Sequence, residues 1–436
     1  MARRKEHAIL VPQIRAPSAS EEQRMITHDR DLSIDFCGVR FLNPFLLSAG
    51  PPTDDLHMVR AAFDAGWGGA VLKTTSVETE PVDLVYPMMS AVHCDGARIV
   101  GLGNIDLISE HHIDVVEQRA ETLKREYPDR VVAVSIMGTN REQWQELVRR
   151  LEAAGVDLIE CSFSCPQGSM GAEPGAMLAQ SIDATERVTG WIREAARRCP
   201  VVIKITPQVT DIVKVVEAVK RGGADAVCAA NTIPSLMGVD TETFVPYPNV
   251  QGHSTYSGLS GPATKPITLR TLAEIARHVD IPITATGGPV TWRDAVEMML
   301  VGATTVQFCT AVMHYGCDII DDLQDGLAFY LEEKGFDTPA AIIGRSLERI
   351  VGHGELRRDA KVVSSLVEER CVKCDLCYIA CRDGGHQAIK LTRPDRLPEI
   401  DTDKCPGCRL CVSVCPADAL EMVKAPEKPR SQATIK

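Results

Sequence analysis

The sequence predicts an α/β protein, a closed (β/α)8 barrel of TIM architecture followed by a small α+β domain, and three observations predict it. A helical stretch that stops at glycine and runs into a short β-branched segment recurs along most of the chain. The segments marked in this way are almost continuously apolar. Half of the sixteen cysteines fall in two short runs near the C-terminus. The division these features suggest is an N-terminal extension over 1–30, a barrel over 31–345, a helical connector over 346–367, a compact cysteine-rich domain over 368–424 and a tail over 425–436.

A chain of 436 residues, 44% hydrophobic and 24% charged, can bury one large core and one small one. Its net charge of -12 and pI near 5.5 exclude a surface that tracks phosphates, which needs clustered Lys and Arg. No nucleic acid is expected as a partner. No apolar run approaches the roughly 18 residues of a membrane span. The opening "MARRKEHAILVPQIRAPS" has mixed charge, no periodicity and no sustained apolar core of a signal peptide. A cytoplasmic protein is expected, one in which sixteen cysteines are not a disulfide framework.

The repeated unit appears in "AFDAGWGGAVLKT", "LEAAGVDLIECS", "AVKRGGADAVCAA" and "MLVGATTVQFC", with Gly66, Gly155, Gly223 and Gly302 in equivalent places. Each suits the left-handed residue that ends a helix before a strand. Eight candidate strands follow, around 44–49, 70–74, 131–137, 157–163, 201–206, 226–230, 282–286 and 304–309. Continuous apolar strands without a G-x-G-x-x-G fingerprint point to a barrel rather than an open nucleotide-binding sheet. Two strand-to-helix connections, 75–130 and 232–262, are unusually long, and barrels build their sites from such connections.

The strand ends carry the chemistry. "LKTTS" supplies Lys73 and Thr74, "VIKITP" supplies Lys204, "AANT" supplies Asn231 and Thr232, and "TATGGP" supplies Gly287 and Gly288. Glycines ahead of a helix expose backbone N–H groups to a phosphate, although a single "TGG" is equally a tight turn. An unpaired buried lysine is costly and usually faces an anion or an electron-rich ring, and FMN supplies both.

The C-terminal runs are "CVKCDLCYIAC" (Cys371, Cys374, Cys377, Cys381) and "CPGCRLCVSVCP" (Cys405, Cys408, Cys411, Cys415), each of the form C-x2-C-x2-C-x3-C. In this bacterial-type 2[4Fe-4S] ferredoxin pattern three thiolates hold one cubane and the last cysteine reaches the neighbouring cluster. Zinc, the competing ion, calls for paired cysteines and would leave several thiols over. Pro416 follows Cys415 as such runs prefer, whereas Arg382 follows Cys381. One further stretch, "ECSFSCPQGSMG", places Cys161 and Cys165 close together; packing, metal ligation and proton donation all remain open from the residues alone.

With "LKTTS", "SCPQG", "IKITP", "NTIPSLMG", "TATGG" and the paired cluster runs in this order, the chain resembles the dihydroorotate-dehydrogenase-like flavoproteins from about residue 31 to 424. Within that group it is most similar to the FMN and iron-sulfur subunits of bacterial dihydropyrimidine dehydrogenases. The resemblance implies that FMN is held by Ala49, Lys73, Thr74, Lys204, Gly261, Thr286, Gly287, Gly288, Cys309 and Thr310. It implies a pyrimidine, or a related cyclic conjugated amide, held by Asn104, Asp106, Ser162, Ser164, Asn231 and Thr232. Cys165 stands where the family has its general acid. Reducing a ring double bond conjugated to a carbonyl takes a hydride at one carbon and a proton at its neighbour, and a thiol is protonated at neutral pH. The loop "CPQGSMGAEPGA" then reads as a mobile lid.

Three departures bear on the substrate: Ser162 where the family usually has Asn, Asp106 where it has Glu, and Gln167 where it has His. The missing Rossmann fingerprint and the resemblance together imply an FAD- and NAD(P)-binding partner subunit that feeds electrons through the clusters, in a hetero-oligomer with more than one copy of each chain. The alternatives are a dihydroorotate dehydrogenase and a non-catalytic electron-transfer subunit; a tRNA dihydrouridine synthase shares the barrel but not the acidic charge balance.

Overall fold

The computed structural model describes residues 30–77, 84–94, 98–106, 108–164 and 177–425. These form two compact units, one ending at Arg349 and one beginning at Ile350.

In the first unit eight parallel strands close into a barrel: β1 (Phe45–Leu47), β2 (Gly69–Thr75), β3 (Val131–Ile136), β4 (Leu158–Ser162), β5 (Val201–Lys204), β6 (Ala226–Ala229), β7 (Ile283–Thr286) and β8 (Thr305–Phe308). Val306 of β8 pairs with Phe45 of β1, which completes the ring. All eight coincide with the apolar runs, because a strand covered on both faces by barrel and helices has no polar side to alternate with.

The helices are α1 (Leu56–Ala65), α2 (Ile113–Glu126), α3 (Arg141–Ala153), α4 (Ile182–Ala195), α5 (Ile212–Arg221), α6 (Lys265–His278), α7 (Trp292–Leu300), α8 (Thr310–Tyr315) and α9 (Ile319–Lys334). Gly66 ends α1 at φ 113°, its N–H donating to the Ala62 and Phe63 carbonyls; any residue with a Cβ would be strained there. Trp67, Trp144 and Phe308 are fully buried between barrel and helices. Trp67 and Phe45 both meet the Phe308 ring edge-on, with centroids 5.7 and 6.0 Å away.

The two long connections supply a feature the strand pattern did not reveal. Met89–Cys94 and Arg98–Asn104 from the first, and Ile233–Ser235 and Ser257–Ser260 from the second, form one antiparallel four-stranded sheet. Segments of three to seven residues, broken by Gly, Ser and Pro, gave no strand signal of their own. Pairing across more than a hundred residues of sequence stabilises them.

The connector over 346–367 holds no α-helix, contrary to the sequence expectation, only the short 3-10 turns Leu347–Arg349 and His353–Glu355. Gly344 and Ser346 donate backbone N–H bonds to the Met299 and Leu300 carbonyls, so the chain stays on the barrel through the 3-10 turn Leu347–Arg349. Beyond it, Val362–Leu366 is a strand, β9, paired antiparallel with Leu420–Lys424. Its β-branched start and the continuous five-residue pairing with Leu420–Lys424 favour the ladder over a helix.

The second unit adds α10 (Leu376–Gly384), β10 (Ile389–Lys390), β11 (Glu399–Ile400), α11 (Leu410–Ser413) and β12 (Leu420–Lys424). β10 and β11 form a short second ladder. No helix among the described residues is long and apolar enough to cross a membrane.

Candidate active site and cluster cradles

A cavity of about 800 Å³ lies at the carboxyl ends of the barrel strands. The structure brings sixteen sequence-predicted residues to its wall: Ala49, Lys73, Thr74, Asn104, Asp106, Ser162, Ser164, Lys204, Asn231, Thr232, Gly261, Thr286, Gly287, Gly288, Cys309 and Thr310. Cys165 and Gln167 lie outside the described residues. Cys161, Cys199 and Cys228 are buried away from this wall.

Both lysines are buried, but neither is unpaired, which corrects the argument from burial. Lys73 at the end of β2 donates to Asp106 Oδ2 at 2.6 Å and to Asp54 Oδ2 at 3.0 Å. Burial works against its charge, and the Asp106 hydrogen bond and Asp54 more than offset this, so its pKa lies above the ordinary lysine value. Lys204 at the end of β5 donates to Glu160 Oε1 at 3.2 Å. Its pKa is likewise raised, burial being outweighed by the negative charge of Glu160. Both ammonium groups are therefore charged at neutral pH.

Glu160 and Gln307 are the residues sequence reasoning missed. Gln307 of β8 donates through Nε2 to Glu160 Oε2 at 3.0 Å, so Glu160 joins Lys204 to Gln307 across the barrel interior. A signal existed: Glu160 shares the parity of Ser162 along β4, so a carboxylate on an otherwise apolar strand had to face inward. Its buried charge then needs a cation, and Ser162 pairs with Lys204 in register.

The fit to FMN can be tested on these residues. Gly287 and Gly288 have φ of 112° and 94°, and a Cβ on Gly288 would come within 2.6 Å of the Lys265 nitrogen at the start of α6. Only glycine lets the backbone approach so closely, and the bare N–H groups there suit a phosphate. Four buried polar oxygens on the wall have no partner among the described residues: Asp106 Oδ1, Ser164 Oγ, Ser257 Oγ and Gln307 Oε1. Native structures rarely leave such groups unpaired, so a polar ligand is expected to meet them. Asn231 Nδ2 donates to the Ser164 carbonyl at 3.1 Å, fixing the backbone two residues beyond the end of β4. The Cys309 thiol is pushed up to about 11 by burial, partly offset by Lys204 and Lys73, and stays neutral.

The second unit holds two hollows. Cys371, Cys374, Cys377 and Cys415 line one, and Cys381, Cys405, Cys408 and Cys411 line the other. The last cysteine of each run thus sits with the first three of the other. Among the described residues no three His, Cys, Asp or Glu side chains converge as a single metal ion needs. Thiols spread around a hollow suit the corners of a cubane instead, and Ala388 and Ala419 donate backbone N–H bonds to Cys381 Sγ and Cys415 Sγ, each at 3.3 Å.

A barrel with this cavity, joined in one chain to a twin-cradle cysteine unit, is the build of a flavin- and cluster-bearing oxidoreductase. The family profile described as dihydroorotate dehydrogenase matches residues 31–331, and the one described as a 4Fe-4S dicluster domain matches residues 364–422. The chain belongs to the dihydroorotate dehydrogenase family. It is 40% identical, over 90% of its own length and 95% of the relative's, to the NAD-dependent dihydropyrimidine dehydrogenase subunit PreA of Escherichia coli. It is 35% identical to the chloroplastic dihydropyrimidine dehydrogenase (NADP(+)) of Arabidopsis thaliana, over 79% of this chain and 84% of that one. To the catalytic subunit of dihydroorotate dehydrogenase B (NAD(+)) of Pyrococcus furiosus it is 33% identical, over 72% of this chain and 98% of that one. The chain is an oxidoreductase acting on CH-CH bonds, with FMN and [4Fe-4S] clusters as cofactors.

Proposed function

We propose that the chain is the catalytic subunit of a dihydropyrimidine dehydrogenase, reducing the ring double bond of uracil, thymine or a related cyclic conjugated amide. The observation that carries this reading is the set of unpartnered acceptors on the cavity wall, Asp106 Oδ1 with Ser164 Oγ. A carboxylate oxygen only accepts and a hydroxyl does either, so a ring edge alternating N–H and C=O satisfies both. The two relatives named as dihydropyrimidine dehydrogenases support the substrate class.

When bound, FMN supplies the hydride; the flavin residues are Ala49, Lys73, Thr74, Lys204, Gly261, Thr286, Gly287, Gly288, Cys309 and Thr310. The charged Lys73 and Lys204 hold negative charge that develops in the cavity, and Asp54, Asp106 and Glu160 keep them charged and aimed. Asn104, Asp106, Ser162, Ser164, Asn231 and Thr232 orient the substrate ring. Cys165, next in the chain after Ser164, gives its Sγ proton to the ring carbon beside the one that takes the hydride. The eight cysteines of the two cradles ligate two [4Fe-4S] clusters. A cytoplasmic partner subunit with FAD and an NAD(P) site delivers electrons through them, in an assembly with more than one copy of each chain.

A dihydroorotate dehydrogenase is the second reading, favoured by the match to the Pyrococcus subunit, but that relative accounts for only 72% of this chain. The test is anaerobic: reduce the holoprotein, then follow flavin reoxidation in the visible band on adding uracil, thymine or orotate singly. Rapid reoxidation by uracil or thymine supports the proposal, and reoxidation by orotate alone selects the second reading. In the same assay Cys165→Ser is expected to keep flavin and iron while losing orders of magnitude in rate; an unchanged rate removes the thiol from the acid role.

A further inference from the structure

The two cradles are nearly symmetric, and β9 and β12 break that symmetry. Each cradle has its far cysteine bonded by one backbone N–H, from Ala419 to Cys415 and from Ala388 to Cys381, both at 3.3 Å. Each has one solvent-exposed ligand, Cys374 in the first and Cys408 in the second. Each also has one exposed cation beyond the Arg396–Asp375 ion pair, Lys373 on the first and Arg409 on the second, and exposed charges are screened by salt.

The inner face of the β9–β12 ribbon differs. Leu366 faces Leu420 in register, and both line the cradle of Cys371, Cys374, Cys377 and Cys415. Ser364, two residues earlier on the same face, pairs with Met422, and both line the cradle of Cys381, Cys405, Cys408 and Cys411. Ser364 is 3% exposed, and its Oγ lies 3.3 Å from Cys411 Sγ. With a free thiol the S–H donates to that oxygen. Once the sulfur is a cluster ligand it carries no proton, and the Ser364 hydroxyl becomes the donor.

A hydrogen bond to a ligand sulfur stabilises whichever state carries more negative charge. Reduction adds one electron and no proton, so the bond strengthens on reduction and the potential rises. Leucine in the equivalent place over the other cradle gives that cluster no such donor.

We propose that Ser364 sets the cluster held by Cys381, Cys405, Cys408 and Cys411 at the higher reduction potential of the two, so that the first electron to enter the unit rests there. The chain thereby orders its two otherwise similar clusters with a single buried hydroxyl.

The test is a dithionite titration of the holoprotein with redox mediators, read by electron paramagnetic resonance, in which the two clusters give two midpoints. In Ser364→Ala the more positive midpoint is expected to fall by about a factor of ten in its one-electron equilibrium constant, ~59 mV, with the other unmoved. Ser364→Thr, which keeps the hydroxyl, is expected to restore it. Leu366→Ser carries a donor to the other cradle and is expected to raise the lower midpoint, narrowing the gap even if Ser364→Ala fails to hold its iron. The proposal is overturned if the gap is unchanged in both Ser364→Ala and Leu366→Ser, if both midpoints move together, or if the lower one is the one that Ser364→Ala shifts.

Discussion

The barrel and the cluster unit reach a folded state by opposite means. In the barrel, the β-strands and the helices around them bury a continuous apolar core that includes Trp67, Trp144, Phe45, Phe63, Phe163 and Phe308. In the cluster unit the contiguous buried core among the described residues is Ile389, Leu420 and Cys411. One of the three is a cysteine lining a cradle. A unit this poor in buried apolar surface does not balance its chain entropy unaided, so the clusters are a folding element there. The flavin, by contrast, enters a scaffold whose core is already closed.

Iron removal breaks the comparison most severely. Anaerobic chelation is expected to unfold residues 350–425 while leaving the barrel intact, read by hydrogen exchange as full exchange in β9–β12 alongside continued protection in β1–β8. A local version is Cys374→Ser, expected to lose one cluster and the electron supply from a physiological donor while artificial reduction of the flavin persists; loss of FMN in that variant means the two units depend on each other.

Within the barrel the largest single effect is expected from Lys204→Met, which leaves the buried Glu160 carboxyl without its cation. The cost is about 3–5 kcal/mol in chemical denaturation, with partial recovery in the Lys204→Met/Glu160→Gln double variant. A smaller effect is expected at α7. Asp294 accepts from the Thr291 and Val290 N–H groups and from Lys265 Nζ, at 2.8, 3.0 and 2.5 Å. Burial raises its pKa, but these donors lower it further, leaving it below the usual carboxylate range. A depressed folded pKa contributes stability above the unfolded value of about 3.9 that disappears as pH falls through the folded one. Asp294→Asn is therefore expected to cost about 0.5–2 kcal/mol at pH 7 and progressively less in acid, measured as denaturation midpoints across pH.

Much of this was legible because it is local. Gly66 marks a helix end, and "VVAVSI" marks a strand covered on both faces, from a few adjacent residues in each case. The spacing of Cys371, Cys374 and Cys377 likewise specifies three thiols about one corner. The connector at 346–367 was misread because a short strand paired with the far end of its unit has no periodicity long enough to register. Glu160 escaped notice because one polar residue on an apolar strand matters only once its inward parity and its neighbour on β5 are known.

The sequence by itself determined the eight barrel strands, the glycine turns between helix and strand, and the type of ligand in the C-terminal unit, since these follow from residues adjacent along the chain. Only the tertiary structure decided that Lys73 and Lys204 are held by carboxylates, that segments from two distant connections share one sheet, and that Ser364 rather than Leu366 lies over Cys411. The physical reason is common to all three: a charge pair, a ladder or a hydrogen bond requires its partner within about 3 Å. When that partner lies tens to hundreds of residues away, closure of the fold brings the two together.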